Sequence, residues 1–218
     1  MYKLKTLSFD LDGTLITNEF SNFIWYKYIP SIYAERHGIS FKEALKRVSE
    51  EYEKISDEDV RWYSFDFWNE KLKLNVNKED LLEISKNYVK YYPEVLEVLE
   101  KLKGKYELII ISNASREFLD VGARKIRKYF SKVFSCPSEF KSVKNPRTYL
   151  EICETLKILP EEVAHFGDNF KLDYVYPKSA RMNACLVDRN GELGIPDSVK
   201  DLKEILSILK KELLNKET

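Results

Sequence analysis

The sequence predicts an α/β fold, a doubly wound parallel sheet into which an α-helical domain is inserted. Apolar runs rich in β-branched residues alternate with amphipathic stretches, which is typical of a parallel sheet covered by helices on both faces. The alternation stops between about residues 18 and 92, where helix-start signals occur without a strand pattern. The predicted strands are Thr6 to Phe9, Glu107 to Ile111, Val133 to Cys136, Val163 to Phe166 and Ala184 to Val187.

The first predicted strand ends in two acidic residues separated by one position. Asp10 and Asp12 would face the same side of an extended chain, and Gly13 directly after them frees the backbone to bend. Both carboxyl groups can therefore share one pocket, where one can act as a nucleophile and the other can protonate a leaving oxygen. The alternative interpretation is a polar turn, because Asp and Gly are common in turns.

The interval from residue 18 to residue 92 predicts a bundle of helices. Ser40 followed by Glu43, and Ser56 followed by Asp59, match a capping box or nearly so, and Asn77 can cap a further helix. Helical spacing of apolar residues follows the first of these starts, at Ala44, Leu45, Val48, Tyr52 and Ile55. Most aromatic residues of the interval are expected in the bundle core, since so small a bundle needs large side chains.

Polar residues follow the later strands as well. Ser112 and Asn113 come after the second strand, Asp168 ends the fourth, and Asp173 lies five residues further on. A basic segment, residues 141–146, lies between these groups. Because the carboxyl ends of parallel strands meet at one edge of a sheet, we expect these groups near the acidic pair of the first strand.

The order of these groups resembles the four motifs of the haloacid dehalogenase superfamily, a large group of phosphohydrolases with an aspartate nucleophile. The motifs are Asp-x-Asp, a hydroxyl residue, a lysine, and Gly-Asp with a further Asp, and the resemblance covers the whole chain. It implies a Rossmann-like core domain from residues 1–17 and 93–218, and a helical cap domain from residues 18–92. In this superfamily the cap lies over the active site and usually carries substrate selectivity.

The resemblance also implies a role for each motif residue. Asp10 attacks phosphorus and forms an aspartyl phosphate, while Asp12 protonates the leaving group and later activates water. Ser112 and Lys144 stabilise the charge on the transferring phosphoryl group. Substrate binding is expected from the backbone amides of Leu11 and Asn113 and, in the cap, from Trp25, Tyr26 and Arg61. Mg²⁺ is expected to bind Asp10, the carbonyl group of Asp12, Asp168 and Asp173.

The third motif departs from the pattern of the superfamily, which is Lys-Pro-x-Pro. Counting back from Pro146 places Val143 at the lysine position, with Lys144 directly after it and Lys141 two residues before it. We prefer Lys144, because Pro146 favours an extended Asn145 and begins a helix, which holds the preceding residue near the strand ends.

Several further residues carry structural expectations. Arg181 stands where the superfamily has a glycine, so the helix before it must end without one. His165 lies inside a predicted strand and is expected to be packed and hydrogen-bonded rather than catalytic. The cysteines lack a C-x-x-C spacing and are expected to be reduced. They are Cys136, Cys153 and Cys185.

The composition limits the classes of binding partner that are expected. Lys+Arg and Asp+Glu both number 36, so the formal net charge is zero, and neither nucleic acid nor a membrane is expected as a partner. The apolar runs are shorter than the ~20 residues of a membrane-spanning helix. We expect a cytoplasmic monomer or homodimer that binds a small phosphorylated substrate. A chain that is 33% charged and lacks glutamine suits a thermophilic source.

Hydrolysis of a small phosphate ester is the preferred function. A dehalogenase of the same fold would need neither an acid at Asp12 nor Mg²⁺, because a halide leaves without a proton. A phosphomutase would use the same residues as the phosphatase. A binding protein with a degraded site is supported only by the displaced lysine.

Overall fold

The centre of the protein is a five-stranded parallel sheet, in a computed structural model that describes residues 3–195 and 198–214. The strands are β1 (Thr6–Phe9), β2 (Glu107–Ser112), β3 (Lys132–Ser135), β4 (Val163–Gly167) and β5 (Asn183–Leu186). All five predicted strands are present, within one residue of their predicted ends. The strand order is β3-β2-β1-β4-β5, so the sheet grows in opposite directions from β1. Such a reversal leaves a crevice at the carboxyl ends of β1 and β4.

The sheet is buried on both faces. In β2, Leu108 and Ile110 pack into one hydrophobic core, and Ile109 and Ile111 pack into a second core on the opposite face. This burial explains why the strands read as continuous apolar runs rather than as alternating ones. The predicted doubly wound α/β fold is confirmed.

The chain between β1 and β2 is helical. Its helices are α1 (Glu19–Phe23), α2 (Ile29–His37), α3 (Phe41–Tyr52), α4 (Phe65–Lys71), α5 (Lys78–Ser85) and α6 (Val95–Leu102). A π-helical turn over Ile24–Tyr28 joins α1 to α2. The side chains of Ser40 and Asn77 cap α3 and α5 as predicted, accepting hydrogen bonds from the backbone N–H groups of Glu43 (3.3 Å) and Glu79 (2.8 Å).

The predicted helix start at Ser56 is wrong. The Ser56 hydroxyl group accepts a hydrogen bond from Glu58 N (3.1 Å), and the Asp59 carboxylate accepts one from Arg61 N (2.9 Å). These local bonds close turns, and the chain forms only a short 3₁₀ turn, Val60–Tyr63, before α4. Ser and Asp side chains compete with the helix for backbone N–H groups in this way.

Two short segments join the helical insertion to the sheet, and they lie side by side. Thr17 N donates to Lys90 O (2.8 Å), and Tyr92 N donates to Leu15 O (3.3 Å). Within the insertion, Phe65 and Trp68 are fully buried, as expected of a bundle core.

The remaining helices are α7 (Arg116–Ala123), α8 (Pro146–Leu156), α9 (Tyr176–Ser179) and α10 (Leu202–Leu214). Arg181 ends the turn after α9 by adopting the left-handed conformation itself (φ +65°), with its N–H group bonded to Lys178 O (3.0 Å). Across the described residues, none of the helices combines the length and the apolar character needed to cross a membrane.

Candidate active site

The acidic pair lies at the carboxyl end of β1. Asp10 N donates to Phe166 O of β4 (2.8 Å), and the chain then turns so that Leu15 N reaches Leu11 O (2.8 Å). Gly13 in this turn has φ +75°, and a Cβ atom there would lie 2.1 Å from Asp168 Oδ2. Only glycine allows the turn and lets the Asp168 carboxylate approach the loop.

Two further acidic residues follow β4. Asp173 is fully buried, and a Cβ atom on Gly167 would lie 2.4 Å from its Cγ, so this glycine also permits a close approach. Carboxylate oxygens of Asp10, Asp168 and Asp173 all lie within 4.8 Å of one another. Hard oxygen ligands at this spacing can hold a divalent cation.

The ammonium group of Lys144 lies among these carboxylates. Its Nζ donates to Asp10 Oδ1 (2.5 Å) and to Asp173 Oδ1 (2.7 Å), and the side chain is buried. The backbone N of Lys144 donates to Asn113 Oδ1 (2.7 Å), which ties the lysine loop to the end of β2. Lys141, by contrast, is exposed, and its Nζ donates to the carbonyl oxygen of Ser138.

The loop before α8 explains why Lys144 reaches the site. The Val143 side chain is buried, and its carbonyl oxygen accepts hydrogen bonds from Thr148 Oγ1 and Asn145 Nδ2, both at 3.0 Å. The Asn145 side chain caps α8 by accepting from Thr148 N (3.0 Å), with Pro146 in the first turn. This capped turn therefore orients the Val143 side chain into the interior and the Lys144 side chain toward the ends of the strands.

The electrostatics of the site reflect four carboxyl groups around one ammonium group. Burial raises the pKa of Asp12 to about 6 and that of Asp168 to about 7. Burial also raises the pKa of Asp10, although Lys144 opposes this shift. Burial likewise acts to raise the pKa of Asp173, but Lys144 and His165 outweigh it, and the net shift is downward. Burial favours neutral forms, whereas a cation favours the carboxylate.

His165 is buried beneath the acidic cluster, as expected, but its partners were not foreseen. Its Nε2 lies 3.0 Å from Asp173 Oδ1, and its Nδ1 lies 2.8 Å from Ser8 Oγ. Burial lowers the pKa of His165, which favours a neutral ring that donates through Nε2 to Asp173 and accepts at Nδ1 from Ser8. The imidazole therefore orients a carboxylate that also binds Lys144.

A cavity of about 270 Å³ lies over the acidic cluster and is lined from both the sheet and the helical insertion. Of the residues predicted from the insertion, Trp25 and Tyr26 line it. Arg61 was expected there and is not among the described lining residues. Its guanidinium group pairs with both carboxylate oxygens of Asp59 and is exposed. Leu11 was expected to contribute its backbone amide group, but the residue is not among the described lining residues, and its side chain packs beside Gly122 in the core.

Sequence reasoning missed several lining residues. Trp62 and Tyr63 are among the aromatic residues of the insertion, most of which were expected in the bundle core, yet both are half-buried and line the cavity. Burial raises the pKa of Tyr63 to about 12, and its hydroxyl group lies near the Asn113 side chain. Both rings belong to the short 3₁₀ turn Val60–Tyr63, which places them at the site. The signal for this turn in the sequence was the polar segment Ser56–Asp59 directly before it. Further unforeseen lining residues are Asn18, Phe20, Ser21, Asn22, Ile24, Ala114, Ser115, Phe118, Asn169 and Leu172.

Several buried polar atoms of the site lack a protein partner. Ser112 differs from these atoms in having one partner, because its Oγ accepts a hydrogen bond from Ala114 N (3.0 Å); it also lines the cavity. Within the part of the chain that the structure describes, Asp12 Oδ1, Asn113 Nδ2 and Ser115 Oγ are buried without a hydrogen-bond partner. A buried unpaired polar group costs about 1–3 kcal/mol, so this concentration of unpaired atoms indicates a place for a polar ligand.

Comparison with known proteins agrees with this site. A sequence model of the haloacid dehalogenase-like hydrolases matches residues 4–180. The GMP/IMP nucleotidase of Escherichia coli is 31% identical over 71 residues, which are 33% of this chain and 32% of that enzyme, so the match spans about a third of its length.

Solved structures extend the similarity to nearly the whole chain. A HAD phosphatase from Thermococcus onnurineus has a TM-score of 0.84 at 26% identity, covering 94% of this chain and 98% of that one. A 2-haloacid dehalogenase from Pseudomonas syringae shares the fold, with a TM-score of 0.66 at 17% identity and coverage of 95% and 99%. With the family model matching most of its length, the chain belongs to the haloacid dehalogenase-like hydrolases.

Proposed function

We propose that the protein hydrolyses phosphate monoesters of small metabolites through an aspartyl phosphate on Asp10. The observation that carries the proposal is the shared cavity, in which the Asp10 carboxylate, a protonatable Asp12 and the Lys144 ammonium group meet. A nucleophile, a general acid and a fixed cation are what phosphoryl transfer from an alcohol requires.

In the first step, a carboxylate oxygen of Asp10 attacks phosphorus and the bond from phosphorus to the ester oxygen breaks. Asp12 gives its proton to the departing alkoxide, which leaves as the alcohol. Burial supports this role, because it raises the pKa of Asp12 to about 6 and so retains the proton closer to neutral pH. Lys144, Ser112 and Asn113 supply positive charge and hydrogen bonds to the phosphoryl oxygens.

In the second step, Asp12, now a carboxylate, takes a proton from a water molecule that attacks phosphorus. The bond from phosphorus to the Asp10 oxygen breaks, which releases inorganic phosphate and regenerates both carboxyl groups. The same residue thus serves as acid and then as base.

The charge of the site supports a bound divalent cation. Four carboxyl groups and one ammonium group line the cavity, and burial together with the neighbouring Asp173 carboxylate raises the pKa of Asp168 to about 7. A bound cation would favour the carboxylate form of these acids. Asp10, Asp168 and Asp173, with the carbonyl group of Asp12, would hold Mg²⁺. The ion would neutralise charge on the phosphoryl oxygens when bound.

We further propose that residues 18–92 act as a cap over a core formed by residues 1–17 and 93–218. The support is that side chains from the helical insertion, including Trp25 and Tyr63, line the same cavity as the acidic cluster.

The test is phosphate release from an aryl phosphate, with Mg²⁺ and with excess chelator, by the natural protein and Asp10→Asn. We expect Mg²⁺-dependent release that Asp10→Asn abolishes. Release that is undiminished by the chelator, or halide release from a chloroalkanoic acid instead, would contradict the proposal.

A further inference from the structure

We infer that the cavity selects phosphate monoesters whose alcohol is uncharged and carries an aromatic ring, nucleoside monophosphates being metabolites of this kind. The inference rests on the proposed function and concerns the half of the cavity that receives the alcohol. Three properties of that half carry it: its lack of a free cation, its aromatic walls and its unpaired polar atoms.

The first property is charge. Among the described residues that line the cavity, Lys144 supplies the only cation, and it is already paired with Asp10 and Asp173. The other charged lining residues are the acids of the cluster. A carboxylate on the alcohol would therefore lose water without gaining a counter-ion and would face several negative charges, which is costly.

Three cations that are adjacent in sequence to lining residues are also paired with other groups. Arg61 is held by Asp59 in a bidentate pair, and Lys171 pairs with Glu58. Arg116 donates to the carbonyl oxygen of Val133 (2.7 Å) and pairs with Glu139. Recruiting any of these groups to an anionic substrate would break an existing pair.

The second property is the aromatic wall. The rings of Trp25 and Trp62 lie 5.6 Å apart and are tilted by 48°, and Phe118 lies 6.4 Å from Trp25. All three line the cavity together with Tyr63. Aromatic side chains bind a planar ring through stacked or edge contacts, which add to the burial of apolar surface.

The third property is a set of polar side chains, and it distinguishes a neutral ring from a quaternary ammonium alcohol. Aromatic walls also attract quaternary ammonium groups, but such groups do not hydrogen-bond. Ser115 Oγ is buried with no hydrogen-bond partner among the described residues, and Ser21 and Asn22 also line the cavity. Hydroxyl and amide groups near an aromatic wall suit a ring system with polar edges, such as a nucleoside.

The test uses two substrate pairs that are matched in size. Para-carbamoylbenzyl and para-carboxybenzyl phosphate differ in charge, and benzyl and cyclohexylmethyl phosphate differ in aromaticity. We expect kcat/KM to favour the first member of each pair, by at least about tenfold for the charged pair, which is about 1.4 kcal/mol. Equal or reversed preferences, or faster hydrolysis of phosphocholine than of benzyl phosphate, would overturn the inference.

Two variants test the residues. Asn22→Lys places a cation at the exposed rim and should raise the ratio of carboxybenzyl to carbamoylbenzyl hydrolysis, whereas the neutral control Asn22→Gln should not. Trp62→Leu should lower the ratio of benzyl to cyclohexylmethyl hydrolysis. Unchanged ratios in Asn22→Lys and Trp62→Leu would contradict the assignment of these walls.

Binding separates this inference from the proposed function. Calorimetry of the same four esters with Asp10→Asn, which retains the cavity, should show the same order of affinity. Ordered binding without any turnover by the natural protein would refute the proposed function and leave the selectivity intact. Turnover without discrimination would refute the selectivity alone.

Discussion

Replacing Lys144 by methionine tests the electrostatic centre of the site. The substitution keeps most of the buried chain but removes the ammonium group that lies 2.5 Å from Asp10 Oδ1 and 2.7 Å from Asp173 Oδ1. Removing one partner of a buried ion pair costs about 3–5 kcal/mol of unfolding free energy. Losing a preorganised positive group at a charged transition state costs about 100- to 1,000-fold in kcat.

The loss of stability should depend on pH. With Lys144 gone, no other group opposes the upward shift that burial gives the Asp10 pKa, and only His165 still opposes burial at Asp173. An acid whose pKa is raised by folding destabilises the folded state as the pH rises through that pKa. The deficit of Lys144→Met relative to the natural protein should therefore be larger at about pH 8 than at about pH 5.

The assay is denaturant unfolding at both pH values together with aryl phosphate hydrolysis. Lys141→Met is the matched control, because this lysine is exposed and bonds only a backbone carbonyl group among its described contacts. It should change stability by no more than about 0.5 kcal/mol and leave hydrolysis unchanged. Full activity in Lys144→Met, or a larger loss in Lys141→Met, would refute the reasoning.

Three other substitutions probe the acid, the turn and the buried histidine. Asp12→Asn should remove a descending limb near pH 6 from kcat/KM for alkyl phosphates, because the natural acid works only while protonated; an unchanged profile contradicts this role. Gly13→Ala should lower kcat by about 100-fold through displacement of Asp168, measured beside metal affinity, and wild-type values for both would contradict it. His165→Leu should lower the unfolding free energy by about 1–3 kcal/mol, since Asp173 and Ser8 lose a partner; calorimetric unfolding at the natural midpoint would disprove this.

The sheet and the acidic residues were predictable because local pattern determines them. Buried parallel strands are continuous apolar runs, and the acids follow those runs directly, as at Asp10 and Asp168. Lys144 was predictable from Pro146 and Asn145, because an N-cap and a first-turn proline place the residues before the helix. The structure adds the physical cause, the carbonyl group of Val143 held by the capped turn.

The helical insertion was harder to predict at the level of side chains. Arg61 lies two residues after Asp59, and the Asp59 carboxylate pairs with the Arg61 guanidinium group. Trp62 and Tyr63 lie in a short 3₁₀ turn. A segment this short shows no helical periodicity from which core-facing and cavity-facing side chains could be told apart. Similarly, the contact of His165 with Asp173 depends on the turn after β4, which sequence spacing does not fix.

The most direct test of the central claim is mass spectrometry of the phosphorylated enzyme. Asp12→Asn treated with an aryl phosphate should accumulate the intermediate, because a good leaving group needs no acid while hydrolysis of the aspartyl phosphate lacks its base. After an acid quench, we predict that fragmentation of the labelled peptide places one phosphoryl group on Asp10, and that none is found in Asp10→Asn. Phosphorylation at another residue such as Ser8 or Ser112, or turnover by Asp10→Asn, would contradict an aspartate nucleophile.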